Sequence, residues 1–192
     1  AKKLAANLEV PKSNIHPLEF TDVNELKSNK HLILLYPVHA FNAPRTVKRF
    51  VRDLPSGLYD DVSLLSVGSS TVWLNKAVSS DLRKVLTKKN YSIIVDEVLA
   101  MPLTLIVSFS DELSKKIIAE SEQKIEEISS NIINGVKSNF KVEVKSHLAN
   151  FFGKAETHAA RLFGLELHAN DNCTSCGTCW DNCPENNISK NS

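Results

Sequence analysis

The chain has no cysteine outside one twelve-residue stretch, no long apolar run and almost no net charge. Each absence removes a class of protein. A disulfide framework belongs to small, cysteine-rich secreted domains, and four cysteines in 192 residues make neither a small nor a cysteine-rich chain. No run approaches the length of a membrane span. With 23 basic against 22 acidic residues, interspersed to a net +1, there is neither a nucleic-acid footprint nor a polybasic membrane patch. No signal peptide is visible, although a chain that opens on Ala1 makes that absence weak evidence. Internal repeats and low-complexity tracts are missing too. No nucleophile–base pair stands out, so no catalytic residue is assigned and hydrolysis has no support. What is present is a globular composition, 42% hydrophobic, at a length that suits one α/β domain plus a small appended module. Clustered free thiols fit a reducing cytoplasm.

All four cysteines lie between Cys173 and Cys183, in the order Cys173, Cys176, Cys179, Cys183, with Pro184 next. The spacing C-x2-C-x2-C-x3-C-P is that of the bacterial iron–sulfur run. Thiolates two residues apart can wrap one face of a cubane and bind three of its irons. Gly177 frees the backbone where a side chain would clash, and Pro184 fixes it where a helix can begin. A zinc site usually pairs two C-x2-C knuckles across a longer gap, which this run lacks. Inert buried thiols would not need the spacing. In two-cluster ferredoxins the fourth cysteine of the run ligates the other cluster. This chain offers no further cysteines and stops at Ser192. The expectation is therefore a sequence cut short, with a single cluster bound in an unusual way as the other option.

Ahead of this run the chain alternates strands and helices. Ala1 to Leu8 reads as a helix already under way, ended by Pro11. A short strand is expected around Ile15 to Phe20, weakened by Pro17. His31–Tyr36, Val62–Val67 and Tyr91–Val95 are apolar runs of the kind that mark parallel strands covered on both faces. Between them, Val47, Phe50, Val51 and Leu54 form one helical stripe after Pro44, and Leu74, Val78, Leu82, Val85 and Leu86 form another. Met101-Pro102 breaks the chain, and Leu103 to Phe109 is a further strand or extended segment. A long helix should run from Asp111, capped by Ser110 and stopped by Gly135, with Leu113, Ile117, Ile118, Ile125, Ile128, Ile132 and Ile133 as its apolar stripe. Residues 140–164 read as a helical connector with Leu148, Phe151, Phe152 and Leu162 as packing positions. Phe163 to Leu167 is a short apolar approach to the cysteines. The pattern is α/β, a parallel sheet of βαβ units.

The α/β part resembles a flavodoxin, a doubly wound parallel sheet. With the cysteine run, the chain resembles the flavodoxin–ferredoxin fusion proteins of anaerobes. The residues carrying this are Tyr36-Pro37-Val38-His39-Ala40-Phe41-Asn42-Ala43-Pro44, the Val67-Gly68-Ser69-Ser70 loop, Met101-Pro102 and the cysteine run. The resemblance implies a flavodoxin-like domain over 1–139, a connector over 140–164 and a partial ferredoxin-like [4Fe-4S] module over 165–192, apparently truncated at both ends. The flavodoxin phosphate loop has no counterpart. If Ala1 to Leu8 is the first helix, a central strand is expected upstream, since its loss would leave two unpaired inner edges.

The resemblance further implies electron transfer, with one or two [4Fe-4S] clusters in the whole protein and FMN at the carboxyl ends of the strands. Pro37, Val38, His39, Ala40, Phe41 and Asn42 would flank the isoalloxazine. Phe41 or Tyr36 would stack on it, and Tyr36 is equally placed as core at a strand end. His39 would hydrogen-bond the ring or simply meet solvent. Gly68, Ser69 and Ser70 would offer backbone N–H groups, or form an ordinary turn. Cys173, Cys176 and Cys179 would bind one cluster, with Cys183 on it or on a second. Trp180 and Trp73 would shield the redox centres, or Trp180 would pack the small module against the larger domain. Asp171, Asp181 and Glu185 would steer redox partner proteins or form a solvated face. A flavin-free scaffold carrying an iron–sulfur module is the alternative. A structural zinc site that staples the C-terminus is the weakest reading.

Overall fold

The computed structural model describes residues 2–18, 21–27, 29–69, 72–102, 109–138, 145–153, 164, 168–183 and 188–189, with the backbone alone at 29 and 73. The expected segment from Leu103 to Phe109 falls almost wholly outside them, as do Ser70, Leu162, Phe163–Leu167, Pro184 and Glu185.

The three apolar runs form the three strands of one parallel sheet, β1 (Asn29–Pro37), β2 (Tyr59–Ser69) and β3 (Ser92–Met101), in the spatial order β1-β2-β3. β1 and β2 pair directly from Asn29↔Tyr59 to Pro37↔Val67. No gap divides the sheet between these three strands. At β3 the register slips once, with Val62 opposite Ile93 and Ser63 opposite Val95. Ile94 is the extra residue of a β-bulge, and it turns the residues after it to the other face.

That turn has a local consequence. It aims Asp96 at the helix packed over β3, where its carboxylate accepts from Ser79 Oγ at 2.6 Å and from Arg83 Nη1 at 2.9 Å. Burial raises the Asp96 pKa, and the Ser79 and Arg83 bonds offset only part of the rise. The outer edge of β3 is closed by Ser138, whose N–H bonds Ile94 O at 2.8 Å and whose hydroxyl accepts from the Asp96 N–H at 3.1 Å.

Helices cover both faces. α1 (Lys2–Asn7) leads the chain, and α2 (Arg45–Asp53) joins β1 to β2. α2 buries Val47, Phe50 and Val51, with Leu54 at its C-cap, each apolar side chain stabilising the fold by about 1.5–3 kcal/mol. The helix expected between β2 and β3 is two helices, α3 (Val72–Asn75) and α4 (Ser80–Lys88). The break follows from polar burial. Asn75 and Ser79 are inside, and Ser79 spends its hydroxyl on Asp96 rather than on capping α4. Leu82 and Leu86 then pack with α2 over one face of the sheet.

α5 (Asp111–Ile133) lies on the other face together with α1. Leu4, Ile125, Ile128 and Ile132 meet Leu65, Val95 and Leu99 there. Its ends form as the sequence predicts. Ser110 Oγ accepts from Leu113 N, and Gly135, at φ +64°, allows the paired C-terminal bonds from Gly135 N to Ile132 O and Val136 N to Asn131 O. Its apolar stripe is narrower than predicted, because Leu113, Ile118 and Ile133 are exposed. Lys3 pairs with Glu122 and Glu126, and Asn7 bonds Ser129, which ties α1 to α5.

The described residues between 9 and 27 link the two faces of the sheet beside β1. Leu8 belongs to the α1/α5 side, while Leu18, Val23 and Leu26 pack against the α2/α4 side. The strand expected at Ile15–Phe20 is not found among the described residues. Pro11 and Pro17 lack an N–H for a ladder, and two short 3-10 turns, Lys12–Asn14 and Val23–Glu25, stand along the segment instead. Residues 145–153 are helical, as the connector reading anticipated, and are called α6. A last short helix, α7 (Thr178–Asp181), sits within the cysteine run. Among the described residues no helix is long and apolar enough to cross a membrane.

Candidate functional site

The carboxyl ends of β1 and β2 carry the first group of predicted residues. Tyr36 is not at the surface. It is 3% exposed within the core, and among the described residues its hydroxyl has no hydrogen-bond partner. Burial, and then the nearby Asp96 charge, raise its pKa. Pro37 ends β1, and Val38 N bonds Val67 O at 2.8 Å. His39 and Asn42 exchange two backbone bonds of 2.9 Å around Ala40 and Phe41, both at positive φ (46° and 56°). This is a two-residue hairpin of the type that normally asks for Asn-Gly. Ala and Phe hold it at a cost in backbone strain. His39 is exposed, Ala40 and Phe41 are half-buried, and Asn42 is buried.

The strained turn is held from outside. Asn42 Nδ2 donates to Ala40 O at 2.9 Å and to Asn150 O at 3.0 Å, while its Oδ1 accepts from Asn150 Nδ2 at 2.9 Å and Lys48 Nζ at 3.5 Å. Asn150 Nδ2 also reaches Phe41 O at 3.0 Å and Ala77 O at 3.3 Å. One turn on, Gly153 lies so near the hairpin that a Cβ there would stand 1.7 Å from Ala40 O. Ser146, Asn150 and Gly153, at i, i+4 and i+7, are therefore the face that α6 lays on the hairpin. The sequence pattern points to packing at Leu148, Phe151 and Phe152, which are instead exposed. The available signal was the small and polar stripe on the opposite side of the same helix.

Gly68 and Ser69 are the last part of β2, next to Val38. A Cβ on Gly68 would meet Asn75 Nδ2 at 2.8 Å and Val38 Cγ2 at 3.1 Å, so the buried Asn75 occupies the space above this glycine.

The cysteine run is a separate element. Cys173, Cys176 and Cys179 are exposed free thiols and Cys183 is half-buried. Asn170 makes a local turn, accepting from Asn172 N and Cys173 N. Gly177, at φ +89°, starts α7 and carries the Trp180 ring against it, where a Cβ would sit 3.2 Å from Trp180 Cζ2. The Thr178 hydroxyl, 3.4 Å from Cys176 Sγ, and then the Thr178 backbone lower the Cys176 pKa toward a thiolate. Four cysteines outside any disulfide, one already biased toward the charged form, fit the donor chemistry of a thiolate-bound cluster. Among the described residues no three His, Cys, Asp or Glu side chains converge on one point.

A further polar pair is invisible in the sequence. His31 Nε2 lies 2.8 Å from Ser63 Oγ across β1 and β2, beside a cavity of about 790 Å³ under the 9–27 segment. Ser63 is wholly buried, so no substrate reaches its hydroxyl, and the imidazole serves to satisfy it. Burial lowers the His31 pKa, against an opposing pull from Asp61.

No family model matches this chain, and no curated protein matches its sequence.

Proposed function

We propose that this protein is an iron–sulfur electron-transfer protein on a flavodoxin-like domain, with FMN at the carboxyl end of the sheet. The observation that carries the reading is the run Cys173, Cys176, Cys179 and Cys183, none of them in a disulfide, set around a left-handed Gly177. Its spacing suits three thiolates on one face of a cubane and a fourth beyond it. A cluster passes single electrons, and FMN accepts one or two, so a chain with both could split or merge electron pairs.

The sheet supports the flavodoxin-like part. The flavodoxin order 2-1-3-4-5 contains three consecutive strands side by side, as β1-β2-β3 are here. α2 and α4 share one face and α1 and α5 the other, which puts the change of side next to β1. Ligands of doubly wound sheets bind beyond the strand ends at such a point. The hairpin at Pro37–Asn42 occupies that place.

A flavin-free domain is the second reading, and a specific observation favours it. The Asn42 amide is fully engaged with Ala40, Asn150 and Lys48, and Asn75 fills the space over Gly68. The Asn42 side chain and the space over Gly68 are thus both taken up from within the chain. Anaerobic purification with iron, sulfide and flavin counted per chain separates the readings. Iron and sulfide in equal amounts with flavin is the expected result. Iron and sulfide without flavin selects the scaffold, and zinc in place of iron ends the electron-transfer reading.

A further inference from the structure

α6 is amphipathic in the reverse sense. Its small and polar residues face the domain, with Ser146 and Asn150 buried against it. Its large apolar residues face solvent, with Leu148 57%, Phe151 67% and Phe152 61% exposed. The two rings stand edge to face with centroids 6.0 Å apart. At 3.6 residues per turn these three side chains share one sector of about 100°, opposite the docked face. A helix held by its polar side and bare on its apolar side is missing a neighbour.

The cysteine module is incomplete in the complementary way. Of residues 168–183 only Gly177 is buried, and no apolar side chain there is fully covered. Trp180 is half-exposed, with one side against Gly177. A segment of this size has no core of its own and needs a surface to pack on.

We propose that the Leu148–Phe151–Phe152 face of α6 is the seat of the chain's own cysteine module, with Trp180 as the anchoring ring. The tether permits it. Twenty positions separate Gly153 from Cys173, a reach of up to about 65 Å, and an intramolecular partner at that distance outcompetes a free one. The charges agree. Lys145 is exposed on α6, and Asp171 and Asp181 are exposed on the module. The consequence rests on the electron-transfer reading. A module seated there would stand on the helix that holds the hairpin at the sheet end, with α6 as the single element between the two candidate redox sites.

The test uses the whole chain with p-benzoylphenylalanine replacing Phe151, and in a second sample Phe152. Both positions are exposed, so the domain keeps its fold. After irradiation and digestion, the expected product joins position 151 or 152 to residues 168–183 in chains of monomer mass, and Trp180→Ala lowers its yield several-fold. Product of dimer mass would give the face to a second copy and overturn the proposal. Absence of any product joining α6 to the module, at both positions, overturns it as well. Iron is counted in the same samples. Iron-free protein that still gives the intrachain product keeps the docking and retires the redox reading. Iron-loaded protein without it does the reverse.

Discussion

Truncating Asn150 to alanine should release the hairpin at the end of β1 without unfolding the sheet. The Asn150 amide donates to Phe41 O at 3.0 Å, Asn42 Oδ1 at 2.9 Å and Ala77 O at 3.3 Å. Its two hydrogens make two good bonds and share the third acceptor. Alanine removes them all and leaves Asn42 Oδ1 with only Lys48 at 3.5 Å. Two bonds at about 0.5–1.5 kcal/mol each, plus about 1 kcal/mol for an acceptor left buried, put the loss at about 2–4 kcal/mol. Because the bonds join α6 to the hairpin, that loss falls on a local opening. Amide exchange of residues 39–42 and 145–153 should then quicken about 30- to 700-fold, while the middle of β2 stays as slow as before. Mass spectrometry on the exchanging protein at fixed pH reads both regions at once. Unchanged exchange at 39–42 would mean that the strained turn holds itself. An equal rise at Leu64 and Leu65 would mean that α6 is part of the global fold rather than a latch on it.

Two titrations extend the test to the core. His31 has a lowered pKa, so its neutral form is the folded one; stability present above its ordinary value should be lost as pH falls below about 6.5. His31→Gln, which still bonds Ser63, should flatten that loss in urea midpoints, and an unaltered acid slope would refute the assignment. Asp96 has a raised pKa, so its ionised form costs stability at neutral pH and the cost is relieved as pH falls through the folded value. The stability difference between wild type and Asp96→Asn should therefore shift toward wild type on acidification, and a shift toward the variant would show that Arg83 outweighs burial.

Much of the scaffold was legible because it follows one rule. Runs such as His31–Tyr36 and Val62–Val67 are apolar on both faces, and both faces are covered. The α2 stripe and the two ends of α5 were equally plain, since cap and stop chemistry is local. What was hidden is non-local. Nothing near Ile94 announces a bulge, because it is set by pairing with β2 and by the Ser138 contact. Ala40-Phe41 carries none of the usual hairpin signals, and the turn depends on Asn150, more than a hundred residues away. Ser63 and His31 meet only because β1 and β2 are neighbours. At the candidate site the cysteines could be named from spacing alone. The loop residues could be placed but not given partners, and Tyr36 proved to be core. α6 misled for a physical reason. The apolar residues of an amphipathic helix ordinarily point inward, whereas here Ser146 and Asn150 do.

The layering also has a history in time. β1, α2, β2, α4 and β3 each meet the element made just before, so this half can assemble as the chain emerges, closing short loops one after another. Among the described elements α1 precedes the others in the chain and waits longest for its partner. The Asn7–Ser129 bond spans 122 residues, and α1 gains its cover only when α5 exists. Until then Leu65, Val95 and Leu99 lack the cover that Ile125, Ile128 and Ile132 bring. The ribosome-bound chain is therefore most exposed to misassembly in the interval between β3 and the middle of α5, and a chaperone that acts on this protein has its work there.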